Sequence, residues 1–279
     1  MPSPLATHRL PVRSHTPAFW WVEYIATGSE TDAVSPPSPA IHTEGLTKRY
    51  GDAVAVTDLD LTVERGSVFG FLGPNGAGKT STIRMLTTLT EPTAGNAFVA
   101  GESVGDRADV VEHIGFLPEE PPLYDELTGR EQLAYIAGLR GHEDPERVES
   151  LLDRFALADD ADRRVESYSK GMKQKLGLIQ ALLHEPDVLF LDEPTSGLDP
   201  RAARTVRETI SEVAAADTTV FLSTHILPVV EELADTVGVL YDGDLVAEGP
   251  PDELADDVEA GSTLEDVFLS VTSEHPTER

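Results

Sequence analysis

The sequence predicts an α/β fold, a mostly parallel sheet with helices packed on it. Three observations carry this. First, the short apolar runs SVFGFLG (67–73), DVLFLDE (187–193) and TTVFLSTH (218–225) end in glycine or polar residues. Such runs suit parallel strands covered on both faces. Second, helical patterns lie between them, at 79–89, 130–139, 145–155, 170–183 and 200–215. Strands that alternate with helices imply a parallel sheet. Third, residues from about 120 to 167 carry helical signal only, which predicts a helical subdomain inserted at about 120–175.

Taken in order, residues 1–40 differ from the rest. MPSPLATHRLPVRSH (1–15) has no acidic residue, VSPPSPA (34–40) is proline-rich, and both tryptophans, Trp20 and Trp21, sit here. The apolar run 18–22 stops at Glu23, short of the roughly 7–15 residues of a signal-peptide core. A disordered extension is expected, part of it upstream of a true start at a valine such as Val34. Ordered sequence is expected over 41–272, with 273–279 a disordered tail. AVAVTDLDLTV (53–63) alternates apolar and polar residues, as a half-buried strand does. The turn residues ERG follow, and then the first buried strand. No apolar run approaches the ~20 residues needed to cross a bilayer. There is no internal repeat and no sustained heptad pattern.

The chain has 279 residues, of which 40% are hydrophobic, enough for a full core. Its 50 acidic residues outnumber the 21 basic ones, for a net charge of −29. A surface this negative repels nucleic-acid phosphates, so no nucleic-acid partner is expected. The same composition suits high salt, where ions screen the self-repulsion of dense carboxylates, and a halophilic origin is expected. There is no cysteine, which excludes disulfides and thiolate metal sites and fits a reducing compartment. The lysines are Lys48, Lys79, Lys170, Lys173 and Lys175, and the last three crowd into YSKGMKQKL (168–176).

GPNGAGKTS (73–81) fits G-x-x-x-x-G-K-[ST] through Gly73, Gly78, Lys79 and Thr80. It lies between a predicted strand and a predicted helix, which is the context the pattern needs. The small residues Gly73, Pro74, Asn75, Gly76, Ala77 and Gly78 let the backbone wrap phosphate oxygens, and the helix N-terminus adds positive potential. Lys79 is expected to bridge the β- and γ-phosphates, Thr80 to bind Mg²⁺, and Ser81 to complete the cradle. No Asn-Lys-x-Asp guanine-reading motif occurs, so ATP is the expected nucleotide. Tyr50, upstream of the loop, is a candidate to stack on adenine, a contact worth roughly 1–3 kcal/mol in other base-stacking sites; strand packing is its alternative role. In DVLFLDEPTSGLDP (187–200) a buried strand delivers Asp192 to the Mg²⁺ shell. Glu193, one residue on, is placed to polarise an attacking water as general base.

These motifs together resemble the ATP-binding subunit of an ABC transporter over about residues 41–272. GPNGAGKT resembles the family's Walker A motif, VLFLDE its Walker B and SGLD (196–199) its D-loop, which includes Asp199. The resemblance implies a P-loop ABC ATPase core with an antiparallel β subdomain and an inserted helical subdomain. It makes His225, in LSTH, the switch histidine at the γ-phosphate, and Tyr50 the aromatic of the A-loop. YSKGM (168–172) resembles the Leu-Ser-Gly-Gly-Gln signature, which caps the ATP held by a partner subunit. Ser169 and Gly171 match; Tyr168, Lys170 and Met172 depart. Lys170 is expected to face the partner's nucleotide and Lys173 to follow the family's basic preference there, whereas Lys175 is plain solvated helix. Glu119, in IGFLPEE (114–120), stands where the family's Q-loop has glutamine. A carboxylate ligates Mg²⁺ but, when ionised, donates no hydrogen bond.

The resemblance implies two partners: an integral membrane permease, and a second ATP-binding subunit in a homodimer or paralogous heterodimer. PPLYDELTGREQL (121–133) occupies the surface that meets the permease, with Leu123 and Tyr124 as candidate contacts; packing inside the helical subdomain is their alternative role. STLEDVFLSVT (262–272) resembles the tail of export-type ATPases of the drug, sodium and copper-processing efflux group. An exporter ATPase at the cytoplasmic face of the membrane is therefore expected. The alternative is a soluble ABC ATPase acting on a non-membrane partner. A single cassette, and a short interval between Glu119 and Tyr168, argue against the ribosomal and chromosomal kinds.

Overall fold

The computed structural model describes residues 38–258 and 263–274. The expectations for residues 1–37, including a start at Val34, and for 275–279 lie outside the described residues. Strands β1 (Ile41–Tyr50), β2 (Ala53–Val63), β4 (Ala94–Val99) and β5 (Glu102–Ser103) form an antiparallel sheet in the order β2-β1-β4-β5. Ala40 is already tied into it: its N–H donates to Val63 O at 2.8 Å, and its carbonyl accepts from Ala100 N at 2.8 Å. In β2 the buried residues include Val56 and Leu59, an odd number of positions apart. A register shift opposite them, with Asp58 at φ 48°, lets both face inward.

The second sheet contains β3 (Val68–Leu72), β6 (Ile114–Leu117), β7 (Val188–Asp192), β8 (Thr219–Thr224), β9 (Thr236–Tyr241) and β10 (Asp244–Gly249). Its order is β10-β9-β3-β8-β7-β6, parallel except for β10. The pleat sends Phe69 and Phe71 to one face, where Phe190 and Phe221 join them; the Phe69 and Phe221 rings stack 5.5 Å apart. This face packs on α1 (Lys79–Leu86) and on the apolar side of the antiparallel sheet. Gly70 points the other way. A Cβ there would lie 2.4 Å from Val230 Cγ1, so its absence lets α7 (Leu227–Leu233) settle on the strand.

The opposite face carries α5 (Lys170–Leu182) and α6 (Pro200–Ala214), whose core continues into α3 (Gly129–Arg140) and α4 (Pro145–Arg154). Thr128 and Glu131 form a capping box on α3, Gly141 ends it at φ 71°, and Asp144 with Pro145 starts α4. Helix α5 lies on β6 through two glycines. A Cβ at Gly177 would sit 2.7 Å from Leu117 Cδ1 and from Pro121 Cβ, and one at Gly115 would sit 2.2 Å from Ala181 O. Helices α2 (Arg107–His113), α8 (Pro251–Val258) and α9 (Leu264–Glu274) complete the described residues.

Candidate nucleotide site

Four neighbouring parallel strands end at one level. The register pairs Leu72 with Thr224, Ser223 with Asp192, and Leu191 with Leu117. The segments that follow therefore open on a common crevice, the usual ligand position in open α/β sheets. Glu119 and Glu193 meet residues of loop 73–81 there for that reason, while Asp192 is buried against Ser223 and His225 reaches the site through Glu193.

The loop's glycines have separate tasks. Gly78 sits at φ 111°, and a Cβ there would lie 2.2 Å from Ala55 O. At Gly73 a Cβ would lie 2.4 Å from Leu240 O. Gly76, at φ 87°, has nothing within 4 Å of its missing Cβ, so its surface is open. The Lys79 ammonium is buried and donates to Gly73 O at 2.7 Å and Pro74 O at 3.2 Å. A cavity of about 200 Å³ brings Asn75, Gly76, Gly78, Lys79, Thr80 and Ser81 together with Glu119, Glu193 and Ala55. Ala77 is buried beneath the loop, where its carbonyl accepts from Gly243 N at 3.0 Å.

Glu193 is buried and fixed on all sides. Its Oε1 lies 3.3 Å from Lys79 Nζ and 2.9 Å from His225 Nδ1, and its Oε2 accepts from Thr224 Oγ1 at 3.1 Å. Its backbone N–H donates to Ser223 O at 3.0 Å, and its φ is 49°. Asp192 Oδ1 accepts from Ser223 Oγ at 2.5 Å. Sequence reasoning missed Ser223 and Thr224. Two hydroxyl residues closing an apolar run mark the end of a strand, but only the register shows that they face Asp192 and Glu193. The larger opening, about 490 Å³, lies past His225 between Pro228, Glu231, Thr263 and Glu265 and includes no residue of the phosphate-binding loop.

Other expected residues stand apart from this cavity. Tyr50 lies at the β1–β2 turn opposite Ala53, 47% exposed, with Lys48 Nζ 5.0 Å from its ring centre. Ser169 caps α5 by accepting from Met172 N at 3.3 Å. Gly171 packs against α6, where a Cβ would meet Ala202 Cβ at 2.8 Å. Asp199 caps α6 through Arg201 N and Ala202 N. The three crowded lysines are all engaged within the chain. Lys170 Nζ donates to Ser196 O at 2.7 Å rather than standing free, Lys173 pairs with Asp125 at 2.7 Å, and Lys175 donates to Phe155 O at 3.0 Å.

Comparison with known proteins gives a consistent result. A family profile described as "ABC transporter" matches residues 56–196. The daunorubicin resistance ATP-binding protein DrrA3 of Streptomyces coeruleorubidus is 44% identical over 234 residues, 82% of this chain and 73% of the relative. The bacitracin transport ATP-binding protein BcrA of Bacillus licheniformis is 41% identical over 219 residues, 78% and 72% of the two chains. A solved structure, described as that of the ATP binding subunit of an ABC transporter, superposes with a TM-score of 0.76 at 31% identity, covering 84% of this chain and 99% of that one.

Proposed function

The chain belongs to the ABC transporter family, whose ATP-binding domain hydrolyses ATP, and from that premise we propose how its residues divide the work. Backbone N–H groups of residues 73–81 and the Lys79 ammonium hold the β- and γ-phosphates. Glu193 polarises the attacking water, and His225, bonded to it at 2.9 Å, orients that water at the γ-phosphate. Tyr50 stacks on the adenine. Ser169 and Gly171 cap the nucleotide of a second ATP-binding subunit, with Asp199 at the joint. The observation that carries this reading is the Glu193 carboxylate, buried between Lys79, Thr224 and His225 at the mouth of the phosphate-binding loop.

The donor set fits Mg²⁺. Thr80, Asp192 and Glu119 offer hard oxygens, and among the described residues no three His, Asp or Glu side chains gather into a cage. Mg²⁺ keeps most of its shell for water and phosphate, so few protein ligands suffice. When bound it neutralises charge on the phosphates.

The transport direction we propose is export, powering a separate membrane permease from the cytoplasmic face. It is supported by relatives named for drug resistance and bacitracin transport. Among the described residues no helix is long and apolar enough to cross a membrane. The surface offered to the permease includes Tyr124 and Tyr135, both exposed and edge-to-face with centroids 5.7 Å apart, next to exposed Leu139. We expect purified protein to hydrolyse ATP, and Glu193→Gln to lower kcat by about 10²-fold or more while a fluorescent ATP analogue still binds. Equal turnover by the two proteins would remove Glu193 from this role. Recovery of a permease with the tagged protein from detergent-solubilised membranes tests the partner.

A further inference from the structure

We propose that Lys170 is a positioning residue that ties the signature turn to the D-loop of its own chain. It thereby links the nucleotide in the chain's own phosphate-binding loop to the half-site offered to a second subunit. The proposal rests on the division of roles given above.

The tie is specific. Lys170 Nζ donates to Ser196 O at 2.7 Å. The ammonium also covers Gly197, where φ is 64° and a Cβ would lie only 2.5 Å from Nζ. Any side chain at 197 would displace it. The loop it grips is a tight turn, with Ser196 N donating to Glu193 O at 3.0 Å and Leu198 N to Thr195 O at 3.3 Å. Displacing this turn therefore bears on Glu193 directly. Next to the lysine, Gly171 allows α5 and α6 to touch at Ala202, and Asp199 fixes the first turn of α6. The signature turn thus rests on the D-loop through an ammonium and, at the next position, on the first turn of α6 through an absent side chain.

On its other side the Ser196 hydroxyl donates to Glu119 Oε1 at 3.5 Å, and Glu119 lines the nucleotide cavity. Glu119 and Lys170 are two of the positions where the sequence departs from the family pattern. Both departures meet at Ser196, the carboxylate at its hydroxyl and the cation at its carbonyl. A glycine at 170 has no atom that reaches Ser196. When turnover at Glu193 and Glu119 shifts Ser196, Lys170 transmits the shift to Ser169 and Gly171.

The test uses Lys170→Met, which keeps the aliphatic stem and loses the donor, and Lys170→Arg, which keeps a donor. Amide hydrogen exchange of the peptide 194–199 is measured without nucleotide, and ATPase rate is measured against ATP concentration. Lys170→Met should speed exchange of that peptide by about threefold or more. It should lower kcat by about five- to tenfold and reduce the Hill coefficient, with the affinity for a fluorescent ATP analogue unchanged. Lys170→Arg should restore most of both. Unchanged exchange in Lys170→Met overturns the tie, and so does a loss of kcat that Lys170→Arg reproduces in full. If the wild type itself hydrolyses no ATP, the functional reading above fails, and the exchange result alone still decides whether Lys170 holds the D-loop.

Discussion

Glu193 has a left-handed backbone, which costs a non-glycine residue about 1–3 kcal/mol. Its N–H bond to Ser223 and the three partners of its carboxylate hold it there against that cost. The turn takes the side chain out of the strand's alternation and into the crevice, which gives two consecutive acids different surroundings. The sequence shows both acids and the lysine; it does not show the turn, because that depends on which strand lies beside β7. The glycines divide in the same way. The pattern identifies Gly78 and Gly76 as small, yet only the fold shows that Gly78 lies against the Ala55 carbonyl while Gly76 faces open space. Gly78→Ala should therefore lower stability by about 2 kcal/mol or more, through both the clash and its φ, and Gly76→Ala should cost about half as much. Urea midpoints at unchanged m-value measure both. Equal midpoints for the two variants would contradict the packing argument.

At the level of the element, helices were read most easily. The stretches expected at 130–139, 145–155, 170–183 and 200–215 coincide with α3 to α6 to within a residue or so, because caps and breakers mark their ends. Helix α1 stops early, at Leu86, where Thr87 Oγ1 bonds back to Ile83 O and Thr88 takes φ 59°. Strands β3, β7 and β8 were legible as short apolar runs. The edge strand β2 was legible through its alternation over 53–63, whereas β5 and β10 were not. β10 is only half-buried and β5 has two residues, so neither shows a period. A second element-level feature is the foot of α5. There His184 is buried, with its Nε2 2.8 Å from Ile114 O and 2.9 Å from Arg140 Nη1. Burial, and then the Arg140 charge, push its pKa down to about 4. The unfolded chain takes up this proton first, so the stability His184 contributes above pH 6.5 is lost as pH falls toward 4. Relative to His184→Gln, the wild type should lose about 1–2 kcal/mol more between pH 7.5 and pH 5. Denaturant titrations at the two pH values check this, and parallel losses would refute it.

For the whole molecule, charge is the dominant fact. A net charge of −29 over one chain favours expansion through self-repulsion, and salt opposes it. Raising ionic strength from about 0.1 to 1 M shortens the screening length from about 10 to 3 Å. The melting temperature should rise by at least about 5 °C over that range, equally in NaCl and KCl, by thermal-shift measurement. A flat response would mean that the carboxylates are already paired or too far apart to interact. This prediction rests on composition alone and needs no contact map. The contact between α5 and β6 needed the fold, and it has a mechanical side. Gly115 and Gly177 bring helix and strand into close contact there, so any rocking of α5 would pivot on the strand edge. The signature turn at Ser169 stands about 12 Å along the helix from Gly177, at 1.5 Å per residue. A rocking of about 10° around that point swings Ser169 by roughly 2 Å, enough to make or break a hydrogen bond. The gain of this lever is set by where the two missing side chains fall along the helix, so adding a methyl group at either glycine would change its throw without touching a residue that meets nucleotide.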